Sequence, residues 1–210
     1  MNRTSFARVA GLLLTASLPL LAGCFGAAAV GFGTTALIVT DRRPSETYVT
    51  DQGIELRAAN RISEKLGQKA TVHVTSYNRV VLLSGSVPDN AAKQEAEKLA
   101  STTPNVKSIV NELEIAGAAS YTDDAYITTK VKARFVDANK FAATHVKVVT
   151  DGNVVYLLGL VTKREAEAAV EIARTTAGVR KVVRVFEYIS EEQARQLDNP
   201  PPATSPAPKP

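Results

Sequence analysis

One cysteine, Cys24, and two distant histidines, His73 and His145, are all that a 210-residue chain offers toward disulfide or metal chemistry. A lone thiol has no intramolecular partner, and one thiolate with two separated imidazoles is not a metal-ligand set. Neither histidine has a Cys, a Ser or a paired acid beside it that would give it a catalytic role. His73 alternates with Val72 and Val74, which predicts the exposed side of a strand, and His145 precedes a similar strand. Asp123-Asp124 reads as a helix cap rather than a general-acid pair. Gly31 and Gly33 lack the strand–turn–helix setting of a phosphate-cradling loop. No catalytic residue, metal or cofactor is expected, and an enzyme is not the reading. Charge is also scarce. The formal net charge is +4, and loss of Arg3 and Arg8 with a leader lowers it by two, to +2. That is too little for the basic face a nucleic-acid binder needs. Nor does the first apolar run, Val9 to Leu21, reach the about 20 apolar residues of a spanning helix.

What is present starts with that run. Arg3 and Arg8, with no acid, precede it, and Ala22-Gly23 follow it, which is the pattern of a secretory signal over residues 1–23. Leu21-Ala22-Gly23-Cys24 resembles the bacterial lipobox, in which the Cys thiol takes a diacylglycerol, the signal is cut and the new N-terminus is acylated. The resemblance makes Cys24 a lipidation site. Several acyl chains hold a protein stably where one would not. Phe25, where inner-membrane lipoproteins of this kind carry Asp, implies the outer membrane, with the protein facing the periplasm. Residues 24–47 show no period of 2 or 3.6 and are expected to be a lipidated tether reaching roughly 25–30 Å as a coil. At the other end, "LDNPPPATSPAPKP" cannot bury a core, and residues 191–210 are expected to be a Pro-rich disordered tail.

Between these ends the chain repeats itself. Residues 72–115 align with 146–189: Val72 with Val146, Val74 with Val148, Gly85 with Gly159, Val87 with Val161. Upstream, Ile54, Arg57, Ala58 and Ile62 match Ile127, Lys130, Val131 and Phe135. The reading is a first domain over 48–116, a linker over 117–124 and a second domain over 125–190. Each domain predicts αββαβ. Helices fall at 54–66 and 125–137, where Ile127, Val131 and Phe135 stand at i, i+4 and i+8. Two strands follow, with Asp151-Gly152 as a hairpin signal. A helix comes next, opened in the second copy by the capping-box spacing Thr162–Glu165. Last strands at 106–115 and 179–189 should return to pair parallel. The fold class is an α+β sandwich, each module a three-stranded mixed sheet with two helices on one face.

The αββαβ order, the glycine ending each second strand (Gly85, Gly159) and stretches such as "ITTKV" (127–131) and "GLVT" (159–162) resemble the BON domain. With the lipobox and the duplication, residues 20–189 resemble the dual-BON outer-membrane lipoproteins, the division- and outer-membrane-stress-associated lipid-binding family. That resemblance implies binding of anionic phospholipids through the second domain and upkeep of the outer-membrane barrier. Fold alone would not imply it.

The first helix of the second module suits such a role. Tyr126, Thr129, Ala133 and Val136 fall opposite the Ile127 stripe, Lys130 and Lys132 flank them, and Arg134 lies nearer the core edge. No carboxylate stands between Tyr126 and Val136. Tyr and Val can enter an interface while lysines reach phosphate, as on phosphatidylglycerol or cardiolipin. In the first module Glu55, Asn60 and Glu64 interrupt Arg57, Arg61 and Lys65, a poorer match. Three cations at about 1 kcal/mol each and two partly buried side chains at about 1 kcal/mol each give on the order of 5 kcal/mol. That is sub-millimolar affinity, adequate for a tethered domain. The competing reading is an interaction module docking on an outer-membrane assembly or cell-wall and division complex, through an apolar patch between the modules.

Overall fold

The computed structural model describes residues 41–115 and 123–199. Cys24, the leader and the final Pro-rich residues lie outside the described residues. The first module contains α1 (Ser45–Leu66), β1 (Thr71–Tyr77), β2 (Val80–Val87), α2 (Asn90–Ser101), β3 (Ser108–Asn111) and β4 (Glu114–Ile115). The second contains α3 (Asp124–Ala138), β5 (Lys147–Asp151), β6 (Val154–Val161), α4 (Lys163–Arg174) and β7 (Lys181–Tyr188), and α5 (Glu191–Asp198) follows it. β2 pairs antiparallel with β1 and parallel with β3 and β4. β6 likewise pairs antiparallel with β5 and parallel with β7. The αββαβ order with mixed sheets is the one the sequence predicts.

Both hairpins close through two residues at positive φ, Asn78-Arg79 (51° and 65°) and Gly152-Asn153 (59° and 63°). That geometry matches the strand twist. The second turn sits one residue later than the Asp151-Gly152 signal, because Asp151 still pairs with Val154 as the last rung. Gly85 and Gly159 are required by close approach: a Cβ there would lie 2.0 Å from the Thr71 carbonyl oxygen and 2.4 Å from that of His145.

Alternation along β6 decides the architecture. Val155, Leu157 and Val161 pack with Ile127, Val131 and Phe135 of α3 and with Ala169 and Ala173 of α4. Val154, Tyr156, Leu158 and Leu160 point the other way and form a cluster with Tyr77 and Leu82 of the first module. In β2, Val81 and Leu83 belong to the core beneath α1 and α2, and Leu82 to the shared cluster. The layers are therefore helices, sheet, sheet, helices, and all eight residues of β6 are buried. Polar bonds rim the seam. Near the start of β1, His73 Nδ1 lies 2.8 Å from Asp151 Oδ2, and at the start of β5 Lys147 Nζ donates to Glu55 at 3.1 Å. Lys107 pairs with Glu187, Lys181 with Glu112 and Arg180 with Glu114. Equivalent strands thus stack antiparallel across a pseudo-dyad.

Three elements differ from expectation. α1 begins at Ser45 rather than 54, so the expected tether does not extend to 47. The expected strand 106–115 breaks after Asn111, whose Oδ1 accepts from the Leu113 N–H and lets Leu113 turn into the core. Residues 191–198 are helical rather than part of a disordered tail, because Ser190 and Gln193 form a capping box and Ala194 is buried.

The last difference shares a cause with the first. Arg42 is buried and makes five hydrogen bonds: two to Glu165 (2.7 and 3.0 Å), two to Asp198 (2.7 and 2.9 Å) and one to the Leu160 carbonyl (2.9 Å). Arg43 turns to the first module instead, to Asp51 at 2.8 Å and over the Tyr77 ring at 4.1 Å. Two adjacent guanidiniums thus fasten the incoming chain to both modules and to α5. Burial alone would raise the Glu165 carboxyl, but His145, Arg42 and the Thr162 N–H outweigh it and hold it far below the carboxylate range.

Removing Arg42 leaves the Glu165 carboxylate buried without its partner. Arg42→Ala should lower the unfolding free energy by about 3–5 kcal/mol, read by denaturant titration, with Arg42→Ala/Glu165→Gln recovering part of it. At the seam, the bond to Asp151 raises His73 above the ordinary histidine value against the opposing effect of burial, and the same bond lowers Asp151. A raised histidine contributes stability below its unfolded value and loses it as pH climbs through the folded one. The melting-temperature gap between wild type and His73→Asn should therefore be fully present below about pH 6 and shrink as the pH rises beyond about 6.5.

Candidate functional site

α3 is set on its sheet by charge at one end and apolar packing along its length. Asp123 makes no side-chain cap bond. Asp124 instead accepts from the Gly152 and Asn153 amides, both at 2.9 Å, and so ties the helix start to the β5–β6 turn. Asp51 does the same in the first module, accepting from Asn78 and Arg79 at 2.8 and 2.7 Å. The expected cap is thus a helix-to-hairpin tie. Ile127, Val131 and Phe135 enter the core, Phe135 meeting Phe141 edge-on at 5.0 Å. Asn139, left-handed at φ 47° and ψ 35°, ends the helix.

The outward face carries the uncharged residues the sequence places there. Tyr126 and Val136 are 65% and 66% exposed, and Thr129 and Ala133 are exposed between them. Thr129 bonds back to the Ala125 carbonyl at 2.9 Å.

The cations divide differently from the sequence reading. Arg134 is committed to the end of α4, donating to the Ile172 carbonyl at 2.8 Å and to the Thr176 and Thr175 hydroxyls at 2.7 and 3.1 Å. Its counterpart Arg61 treats Leu99, Thr103 and Thr102 alike. A guanidinium at a helix C-terminus satisfies orphan carbonyls and meets the negative end of the dipole. Arg134 is therefore a clamp of the fold. Lys130 is half-buried, donates to the Ala177 carbonyl at 2.9 Å and lies 5.0 Å from the Tyr126 ring. Lys132 is exposed and has no hydrogen bond or ion pair among the described residues. Lys140, exposed just past the helix end, is a cation the sequence reading left out; its position beyond the predicted helix hid it.

The first module's helix is not the control it looked like in sequence. Glu55 is turned to the seam, accepting from the Ser76 amide at 2.8 Å and from Lys147. Arg61 faces α2. His145 is buried, 3.5 Å from Glu165 and 3.4 Å from Asp198, and Thr162 with Glu165 forms the predicted capping box. Among the described residues no cluster has a metal-ligand arrangement, and no helix is long and apolar enough to cross a membrane.

Comparison with known proteins agrees with the duplication. Residues 50–117 and 123–190 each match the BON domain. The outer membrane lipoprotein DolP of Haemophilus influenzae is 36% identical over 183 residues, covering 85% of this chain and 94% of that protein. The 21 kDa hemolysin of Actinobacillus pleuropneumoniae is 36% identical over 154 residues, 71% of this chain and 79% of that one. Among solved structures, CdsD, a structural protein of the type III secretion system of Chlamydia trachomatis, aligns over 69% of this chain and 98% of that one, at 15% identity and a TM-score of 0.26. The last is too distant to inform function. The chain is an envelope-associated protein of the outer membrane, and with two tandem copies of the domain it belongs to the BON-domain family.

Proposed function

We propose that this protein is a non-enzymatic outer-membrane lipoprotein, acylated at Cys24, whose second BON module contacts anionic phospholipid headgroups through the outward face of α3 and so supports the outer membrane. The observation that carries this reading is the pairing of exposed Tyr126 and Val136 with an unengaged Lys132, on a face without a carboxylate until Asp137. Thr129 and Ala133 are small enough to let that face lie flat. Lys130 stands at its rim, stacked beside Tyr126.

With Arg134 clamped, one free cation and two partly buried side chains supply about 3 kcal/mol, a Kd of several millimolar. A short tether gives an effective concentration in the same millimolar range, so an anchored module would be partly bound and quick to release. The competing reading, docking on an assembly or division complex through an apolar patch between the modules, loses its surface: Tyr77, Leu82, Tyr156 and Leu158 are already buried against one another in the seam.

The test uses residues 39–210, which keep the Arg42 clasp and α5 within one compact unit. Flotation should show salt-sensitive binding to vesicles containing phosphatidylglycerol or cardiolipin, and little to phosphatidylcholine. Lys132→Glu and Tyr126→Ala should each weaken it about fivefold or more. Arg134→Gln should lower the melting temperature with little effect on the lipid dependence. Binding that ignores headgroup charge, or survives Lys132→Glu, rejects the reading.

A further inference from the structure

The early start of α1 exposes a second surface. Tyr48, Val49 and Leu56 are 50%, 69% and 65% exposed. Tyr48 falls on the flank beside Glu55, with Arg43 5.1 Å over its ring, whereas Val49 and Leu56, with exposed Gln52, Asn60 and Ser63, make an outward stripe opposite buried Ile54, Ala58 and Ile62. No charged residue stands on the stripe; at 100° per residue Glu46, Arg57 and Glu64 fall along one border. The residues that could have charged it are held elsewhere, Glu55 by Lys147 and Ser76, Arg61 by α2.

The chain's path gives this stripe its occupant. Sixteen residues separate Cys24 from Asp41, so the stretch from an anchored Cys24 to the clasp is short. Arg42 and Arg43 fix the end of that span, and Pro44 opens α1 directly after it, so Val49 is within two helical turns of the fixed point. An anchor at Cys24 therefore keeps the stripe at the membrane whatever its headgroups. The layer order adds a constraint. α1 and α3 cover opposite outer faces of the sheet pair, so one flat bilayer meets one of them at a time.

We infer that the uncharged stripe around Val49 and Leu56 on α1 is a second bilayer-contact surface, independent of headgroup charge, occupied where anionic lipid is too sparse to hold α3. A second copy of the chain is a poorer occupant: antiparallel pairing of two α1 helices would bring the Glu46 and Glu64 borders together. The inference shares Cys24 anchoring with the proposed function but does not depend on lipid binding by α3.

The chain has no tryptophan, so single reporters are clean. Residues 24–210 carrying Leu56→Trp or Tyr126→Trp would be coupled through the single thiol to a maleimide-headgroup lipid. Quenching would be read in vesicles with brominated acyl chains, of phosphatidylcholine alone or with phosphatidylglycerol. In neutral vesicles the Leu56→Trp reporter should be quenched at any salt, and Val49→Asp in the same background should cut that quenching at least about twofold. Added phosphatidylglycerol should reduce it and quench the Tyr126→Trp reporter instead. A Leu56→Trp reporter that is unquenched in both compositions, or unmoved by Val49→Asp, overturns the inference. If the Tyr126→Trp reporter alone stays unquenched, the α3 reading fails while the α1 surface stands.

Discussion

Burial of β6 on both faces is the constraint from which the rest of the architecture follows. A strand in a two-layer module needs one apolar side; Val154–Val161 has two, and every residue is buried. Val154, Tyr156, Leu158 and Leu160 would be a large exposed apolar ladder on an isolated second module. The first module's sheet covers it, and in exchange β2 sends Leu82 into the same cluster. The pair is thus a joint body with an apolar seam, rimmed by charge pairs that fix its register. Once the sheets face each other, the helices have nowhere to go but outward. Every candidate contact surface is then a helix face.

The two copies show by internal comparison which side chains close the fold. Asp51 and Asp124 each receive two hairpin-turn amides, and Arg61 and Arg134 each close the end of the following helix. These residues serve the same mechanical purpose twice, which removes Arg134 from any lipid-facing set on physical grounds. Where the copies part company, the cause is visible. The connection from α3 to β5 is eight residues against four between α1 and β1, and it carries Phe141 into the core.

Much of this was legible in the sequence. The 3.6 period of Ile127, Val131 and Phe135 and the capping box at Thr162–Glu165 encode local rules, and the structure follows them; Gly85 and Gly159, expected to end their strands, stand two residues before the ends of β2 and β6. What escaped is long-range. Arg42 lies 123 residues from Glu165 and 156 from Asp198, so a basic pair before a proline reads as linker. The start of α1 at Ser45 and the helix after residue 190 escaped with it. Of the α3 face, the uncharged positions were readable from angle alone. The cations were not: an angle cannot say that Arg134 has α4 carbonyls within reach while Lys132 has none.

The same distinction bears on how strong a contact such a module can make. A cation that braces a helix end is desolvated and spoken for, whereas one that meets a headgroup must be idle in the free protein. On α3 the clamp is Arg134 and the idle charge is Lys132, and the module cannot convert one into the other without loosening α4. A small αββαβ unit has few outward positions left once its ties are made, so a single module carries few idle charges. Weak contact is then a consequence of the fold's size, and under the proposed acylation of Cys24 membrane residence would fall to the anchor. Joining two modules back to back does not add their contacts on one flat surface, since the outward faces oppose. It gives the joint body two unlike outward faces.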